Sequence, residues 1–398
     1  MSFNKRYHSL QSLRQAYRRL IHYKYFPHLM SCLAIVILAI VIPALLTLGR
    51  PFPVPTDSKV QEDSKINKPN KSIHPSKSNK EIQSEKQLLS QFGLTGTLLS
   101  PKQTISVYLH KTKQVEVVSL EQYIMGVIAA EMPAKFELEA LKAQAVAART
   151  FIARRLAAGD VSGVPDNKAD VTDTVAHQAY ISKEELAGWS SNGSGDKLAK
   201  LKQAVKETEG IIMTYKGKPI TASFFSASGG YTENSEDYWS QAVPYLRSVP
   251  SPWDPKLQEN NEVTVSFSLD ELFRKLDLSP PAIPATSMSE KSIASLFKTL
   301  STTKGGKVKK ISVNGIPMTG REMREKLDLR SSQFKIGYKD NKIQITTYGY
   351  GHGVGMSQWG AEGMARSGYS AAQILKYYYT GISFDQVEKL LSNKLSKK

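Results

Sequence analysis

Residues 120–158 read LEQYIMGVIAAEMPAKFELEALKAQAVAARTFIARRLAA, two helical patterns separated by one proline. Leu120, Tyr123, Ile124, Val127 and Ile128 recur at the spacing of a single helical face, which predicts a helix over Leu120–Glu131. The next position on that stripe is Glu131, a carboxylate where the pattern asks for an apolar side chain. Pro133 biases Met132 away from helical geometry, so Glu131 falls in the last turn, beside the negative end of the helix dipole. Partial burial and the dipole both oppose ionisation and push the carboxyl toward the neutral form that a general acid requires. An ion pair of Glu131 with Arg149 or Arg154 is the competing explanation, and spacing does not choose between them. The second helix, Phe136–Ala158, carries alanine at 140, 143, 145, 147 and 148, small side chains that allow close approach to neighbours. Arg149 lies among them, either as an orienting partner for Glu131 or Asp173 or as half of a structural ion pair.

Around this pair the pattern changes to short strands. Thr104–Leu109 and Gln114–Val118 alternate about a polar turn and predict a hairpin; Ile211–Tyr215 and Pro219–Ser226 predict another about Lys216-Gly217. Lys197–Glu209 between them reads as a helix. From Val263 to Gln344 come a strand, helices over Leu269–Leu276 and Lys291–Leu300, and a hairpin over Asn314-Gly315. A helix over Arg321–Leu327 and a hairpin from Phe334–Tyr338 and Lys342–Thr347 follow. That region reads as an inserted second lobe, residues 263–344, between a core in two parts, 94–262 and 345–398. The last part opens on a glycine-rich turn, Tyr348–Gly355, followed by helices over Met356–Arg366 and Ser370–Tyr379. The expected class is α+β, with mostly antiparallel hairpins and the helix pair at its centre.

The N-terminal part is different. Residues 1–50 hold seven basic side chains and no acidic one, and Leu29–Leu48 runs twenty residues without a charge, about the length that crosses a bilayer. A cleaved signal peptide would have a shorter apolar stretch and a small-residue cleavage site, and neither is present. The expectation is a basic cytoplasmic tail (1–28), a single transmembrane helix (29–48), a Pro-, Ser- and Lys-rich flexible linker (49–93), and an extracytoplasmic domain. Over all 398 residues, 53 Lys and Arg against 36 Asp and Glu give a net charge of +17, which favours an anionic partner. The basic residues form no stripe interleaved with aromatics, and the domain is expected outside the cytoplasm, so nucleic acid is not the expected partner. A single cysteine, Cys32 in the apolar segment, excludes disulfides within the chain, cysteine-rich metal sites and a catalytic thiol.

Three polar patches carry the remaining chemistry. Asp173-Thr-Val-Ala-His177-Gln178-Ala-Tyr180 suits hydrogen bonding to a polyhydroxylated ligand, although His177 alone is more often structural. Ser226-Ala-Ser228-Gly229-Gly230-Tyr231-Thr232-Glu233-Asn234 lets backbone approach a ligand closely, and Gly349-Tyr-Gly-His352-Gly-Val-Gly355-Met-Ser357-Gln358 opens a helix. Tight-turn geometry accounts for either glycine cluster without a ligand. Neither dinucleotide-binding nor phosphate-loop spacing is matched, and H-E-x-x-H and G-x-S-x-G are absent. Ser301-Thr-Thr-Lys304 matches S-x-x-K without its companion motifs and is read as chance.

The segments YIMGVIAAEMPAKFELEALKAQAVAARTF (123–151), DTVAHQAY (173–180), FFSASGGYTENSEDYW (224–239), PYLRSVPSPWD (244–254) and GYGHGVGMSQWGAEGMA (349–365), in this order, resemble the stage II sporulation protein D family. The resemblance runs over Thr104–Ser383. It implies a membrane-anchored lytic transglycosylase that cleaves the MurNAc–GlcNAc bond of peptide-stripped peptidoglycan strands and leaves 1,6-anhydro-MurNAc ends. Glu131, in the E-M-P segment, is the implied catalytic residue. Asp173, Glu233 and Asp237 are candidates to stabilise positive charge, and Gln178, Ser226, Ser228, Tyr231, His352 and Gln358, with Arg149, to bind sugar. The implied partners are an amidase, stage II sporulation protein P, and the membrane protein stage II sporulation protein M, at the mother-cell side of the sporulation septum. Some relatives carry a His-Cys-x-x-x-Cys zinc site near His177; this chain has no cysteine there, so no metal or other cofactor is expected. The same domain occurs in amidase-enhancer proteins, which makes a non-catalytic wall-binding enhancer the alternative.

Overall fold

Helix α1 (Asn79–Gln91) opens the computed structural model, which describes residues 79–191, 193–282 and 288–395. The expected tail, membrane anchor and most of the linker lie outside these residues; among the described ones no helix is long and apolar enough to cross a membrane. Order begins earlier than the polar composition of 49–93 predicts. Leu89 and Phe92 are buried, and Phe92 meets Phe384 edge-on at 5.0 Å, which gives the end of α1 an apolar anchor that a composition reading averages away.

Strands β1 (Thr104–Leu109) and β2 (Gln114–Ser119) form the expected antiparallel hairpin. Ser119 then caps α2 (Leu120–Glu131). Its hydroxyl accepts from the Gln122 amide at 3.3 Å and the Gln122 side chain accepts from the Ser119 amide at 3.2 Å, a reciprocal box that fixes where the helix starts. Leu120, Tyr123, Ile124, Val127 and Ile128 are all fully buried, each contributing about 1.5–3 kcal/mol through burial. Met132 leaves the helix in extended geometry, as the following proline requires. Helix α3 (Leu138–Ala158) starts two residues later than the sequence predicts and runs through the core, packed on α2. Beyond it come β3 (Val171–Thr172), parallel to β1, and helices α4 (Lys183–Ser191) and α5 (Gly195–Lys206).

Strand β4 (Ile211–Tyr215) turns into β5, which is only Lys218–Pro219. The longer return strand predicted to Ser226 does not form, since Pro219 has no amide to continue the ladder. Instead β6 (Phe224–Phe225) crosses to another sheet. Two short helices follow, α6 (Ser235–Trp239) and α7 (Asp254–Leu257).

The next stretch has a second cluster of buried residues, from Phe267 to Ile345. It holds β7 (Glu262–Phe267), α8 (Leu269–Lys275), α9 (Glu290–Leu296), β8 (Phe297–Thr302), β9 (Val308–Val313), β10 (Ile316–Thr319), α10 (Gly320–Leu327), β11 (Phe334–Lys339) and β12 (Lys342–Tyr348). The sheets are ordered β10-β9-β8 and β11-β12-β7, all antiparallel. The helix expected over 291–300 ends at Leu296, because Phe297 onward pairs with β9 and Phe297 packs on Phe273 at 6.0 Å.

The chain then returns to the first core. Strand β13 (Met356–Ser357) pairs in parallel with β6, and α11 (Gln358–Arg366), α12 (Ala371–Tyr378), β14 (Ser383–Gln386) and α13 (Val387–Leu395) complete it. Strand β14 pairs with β4. The class is α+β with antiparallel sheets; the two parallel pairings are two residues long each.

Candidate active site

Gly126 decides what faces Glu131. A Cβ there would stand 2.2 Å from the Tyr180 ring and 2.6 Å from the Ile181 carbonyl, so only glycine lets the 179–181 segment lie against α2. The Ile181 amide bonds the Gly126 carbonyl at 3.2 Å and holds the segment there. Two residues upstream, the Ala179 amide donates to Glu131 Oε1 at 2.9 Å. Burial raises the Glu131 pKa; the Ala179 bond and the nearby Gln358 side chain oppose it, and burial prevails. Glu131 thus meets an amide donor, with no arginine paired to it among the described residues. Arg149, the competing partner, is fully buried elsewhere: it forks onto Glu121 through Nε (2.9 Å) and Nη2 (2.6 Å) and donates to the Ile211 carbonyl at 3.2 Å.

Glu131 lines a cleft of about 710 Å³ together with Gln178, Ser226, Tyr238, Trp239, His352 and Gln358. It is the one carboxylate among the described residues of that lining. Gln178 accepts from the Tyr123 hydroxyl at 3.1 Å, while its Nε2 and that of Gln358 are buried without partners. An orphaned donor of this kind costs about 1–3 kcal/mol, which an acceptor on a ligand would offset. Tyr238, Trp239 and Phe225 surround His352 at 5.4–5.7 Å between ring centroids. Burial first, then the nearby Arg324 and Lys307 charges, hold His352 neutral, with a pKa of about 3. Its Nδ1 accepts from the Val354 amide at 3.0 Å, so the proton sits on Nε2. These aromatic faces offer the flat apolar surface on which a pyranose ring rests.

The cleft wall is held from behind by Asp254. This buried carboxyl accepts from the Ser228 amide (2.7 Å), the Ser251 hydroxyl (2.5 Å) and the Ser357 hydroxyl, and so ties the three motif segments together. Gly355, at φ +83°, packs where a Cβ would strike the Ser223 carbonyl, bringing β13 against β6. Phe136 meets Trp359 edge-on at 4.8 Å and clamps the α2–α3 connection to α11.

The predicted residues therefore separate. Glu131, Gln178, Ser226, His352 and Gln358 converge on the cleft. Arg149 is a core ion pair. Ser228 belongs to the Asp254 network and is fully buried. Asp173 accepts from the His110 amide at 3.0 Å, and Tyr231 is half exposed; neither lines the cleft. Glu233 and Asp237 face a smaller cavity of about 210 Å³ behind Tyr238 and His352. There Glu233 accepts from the Thr303 hydroxyl at 2.9 Å, and burial pushes its pKa up to about 7 against the pull of Lys307. His177 lines the cleft as well, with both ring nitrogens engaged: Nδ1 accepts from the Thr172 amide at 3.1 Å, and Nε2 reaches the Ser162 carbonyl at 3.0 Å. Tyr238 and Trp239 stood inside a quoted motif without a role, and Arg324, also in the lining, stood in no motif at all.

Comparison with known proteins adds ancestry to this geometry. Residues 108–215 match the sequence model of a family described as stage II sporulation protein. The chain is 42% identical over 306 residues to stage II sporulation protein D of Bacillus amyloliquefaciens, covering 77% of this chain and 86% of that protein. The corresponding protein of Bacillus subtilis (strain 168) is also 42% identical, over 302 residues covering 76% and 84%. The amidase enhancer of Bacillus subtilis is 33% identical over 305 residues, 65% of this chain and 39% of the enhancer.

Proposed function

Because the chain belongs to the stage II sporulation protein D family, we propose that it is a lytic transglycosylase of peptidoglycan acting in sporulation, with Glu131 as its single acid–base catalyst. The observation that carries this reading is one carboxyl, raised in pKa by burial, set in an aromatic cleft that holds no second carboxylate among the described lining residues. Hydrolases of either stereochemical course use a pair of carboxylates about 5–9.5 Å apart. Asp173, Glu233 and Asp237, the candidates for a second one, lie outside this cleft. A single carboxyl suffices when the sugar supplies its own nucleophile.

The Ala179 amide donates to Oε1, so the proton of neutral Glu131 belongs on Oε2. Oε2–H protonates the glycosidic oxygen, and the bond from that oxygen to C1 of the N-acetylmuramyl residue breaks as positive charge develops at C1. The carboxylate left behind, steadied by Ala179 N–H, takes the proton of the C6 hydroxyl while that oxygen closes on C1. The ring product is the 1,6-anhydro end, Glu131 is again protonated, and no water is consumed. The free Nε2 groups of Gln178 and Gln358 hold sugar hydroxyl or acetamido oxygens on either side.

In this proposal the domain stands outside the cytoplasmic membrane, anchored by residues 29–48, and thins the septal wall with the sporulation amidase, stage II sporulation protein P, and stage II sporulation protein M. Likeness to an amidase enhancer favours a second role, stimulation of the amidase. Digestion of peptide-free strands in heavy-oxygen water separates the readings. Chain ends free of solvent oxygen mark the transglycosylase. Solvent oxygen in the ends marks a hydrolase and removes the mechanism, and intact strands beside a stimulated amidase mark the enhancer alone.

A further inference from the structure

Among the described residues, the cleft lining has one cation, Arg324, as well as one carboxylate. Arg324, on α10 of the inserted stretch, reaches the same cleft as Glu131. Its Nε donates to the Leu329 carbonyl at 3.3 Å, and no acidic side chain among the described residues pairs with it. That placement is built. Asp328 ends α10 in left-handed geometry (φ +53°), and the Leu329 amide bonds back to the Arg324 carbonyl at 2.9 Å. The next residue, Arg330, lies over the Tyr350 ring at 4.6 Å, and its carbonyl accepts from the Gly351 amide at 2.9 Å. The glycine-rich turn and the end of α10 are thereby fastened together, with the guanidinium at the cleft wall.

A guanidinium without an acidic partner, half-buried in a cleft, is a site for an oxyanion that its planar fork grips in two places. The sugar backbone of the glycan is uncharged, and its one oxyanion comes from a side group. Each N-acetylmuramyl residue bears a D-lactyl ether, whose carboxyl is a free carboxylate when no peptide is attached and a neutral amide when one is. We propose that Arg324 is the cleft's carboxylate subsite and takes this free lactyl carboxylate, so that the inserted stretch selects strands without peptides. The proposal rests on the transglycosylase reading for the identity of the sugar. A peptide-bearing residue loses the charge at this position and brings bulk to it, and both disfavour it.

The test is a binding measurement in the Glu131→Gln background, where turnover is slowed, on full-length protein held in detergent. Two sets of short glycan oligomers serve as probes, one with free lactyl carboxylates and one with the same groups capped as methylamides. The free-acid form binds roughly tenfold tighter or more, as a charged hydrogen-bonded pair provides. Adding Arg324→Gln removes the preference by weakening the free-acid form alone, and Arg324→Lys, which keeps charge but not the fork, retains part of it. An unchanged ratio in Arg324→Gln, equal loss for both oligomers, or no binding of either overturns the proposal. Failure of the transglycosylase reading is separately visible as wild-type protein that binds free-acid strands with this preference and leaves no anhydro ends.

Discussion

Replacing Glu131 by glutamine separates its proposed catalytic role from its structural one. Burial raises its pKa in the folded chain above the unfolded value, so the native state binds this proton more tightly. The stability it contributes is lost as pH climbs past the ordinary carboxylate range. Glu131→Gln removes that loss: its melting temperature should match the wild type in acid and exceed it by a margin that grows as pH passes the ordinary carboxylate range and levels off above the raised pKa, and a variant that melts lower throughout contradicts the assignment. Arg149 gives the opposite signature. Arg149→Ala strands Glu121 and the Ile211 carbonyl, and should cost about 3–5 kcal/mol, read by denaturant titration. If the variant keeps its stability and loses strand binding, Arg149 belongs to the site after all. The position of Glu131 in the last turn of α2 was legible because an interrupted apolar stripe marks a face. Arg149 stayed undecided because spacing along one chain says nothing of Glu121, 28 residues away.

At the scale of elements, the close contact of α2 with residues 179–181 holds the Ala179 amide against Glu131. Gly126→Ala substitutes a better helix former, yet its Cβ meets the Tyr180 ring and the Ile181 backbone. The segment must move and take the Ala179 amide from Glu131. Strand cleavage should fall with a loss of stability, and a shift of the activity profile's upper limb, measured against pH, reports the lost bond: without Ala179 N–H the carboxyl pKa rises further. An unshifted limb would separate Ala179 from the acid–base step. Helices with caps and stripes, such as α2, and hairpins about Asn-Gly or alternating runs, such as β9–β10, were readable because their signals are local. The parallel pairing of β6 with β13 was not, since its strands are two residues long and their paired residues, such as Met356 and Phe224, are far apart in the chain. Helix α1 escaped for another reason, its few apolar residues being outnumbered by Lys, Ser and Gln.

Taken whole, two of the cavities among the described residues share a wall. Tyr238 and His352 line both, and Glu233 sits behind them beside Lys307. Glu233, ordinarily near 4.5 and pushed up to about 7 by burial, costs stability as pH rises between those values and no further above them. Glu233→Gln should flatten the decline in melting temperature across that interval by a few °C; an equally steep decline would place the titration elsewhere. Nothing in residues 263–344 announced a contribution to the cleft, because Arg324 is one of 53 basic residues and its meaning lies in which wall α10 meets. The central claim is that one carboxyl performs the whole reaction. Peptide-free glycan strands incubated with full-length wild-type protein or Glu131→Gln, with products weighed by mass spectrometry, test it directly. The account predicts 1,6-anhydro-MurNAc ends from the wild type and a loss of about 10²–10⁴-fold in the folded variant. Anhydro ends formed equally by both would contradict it.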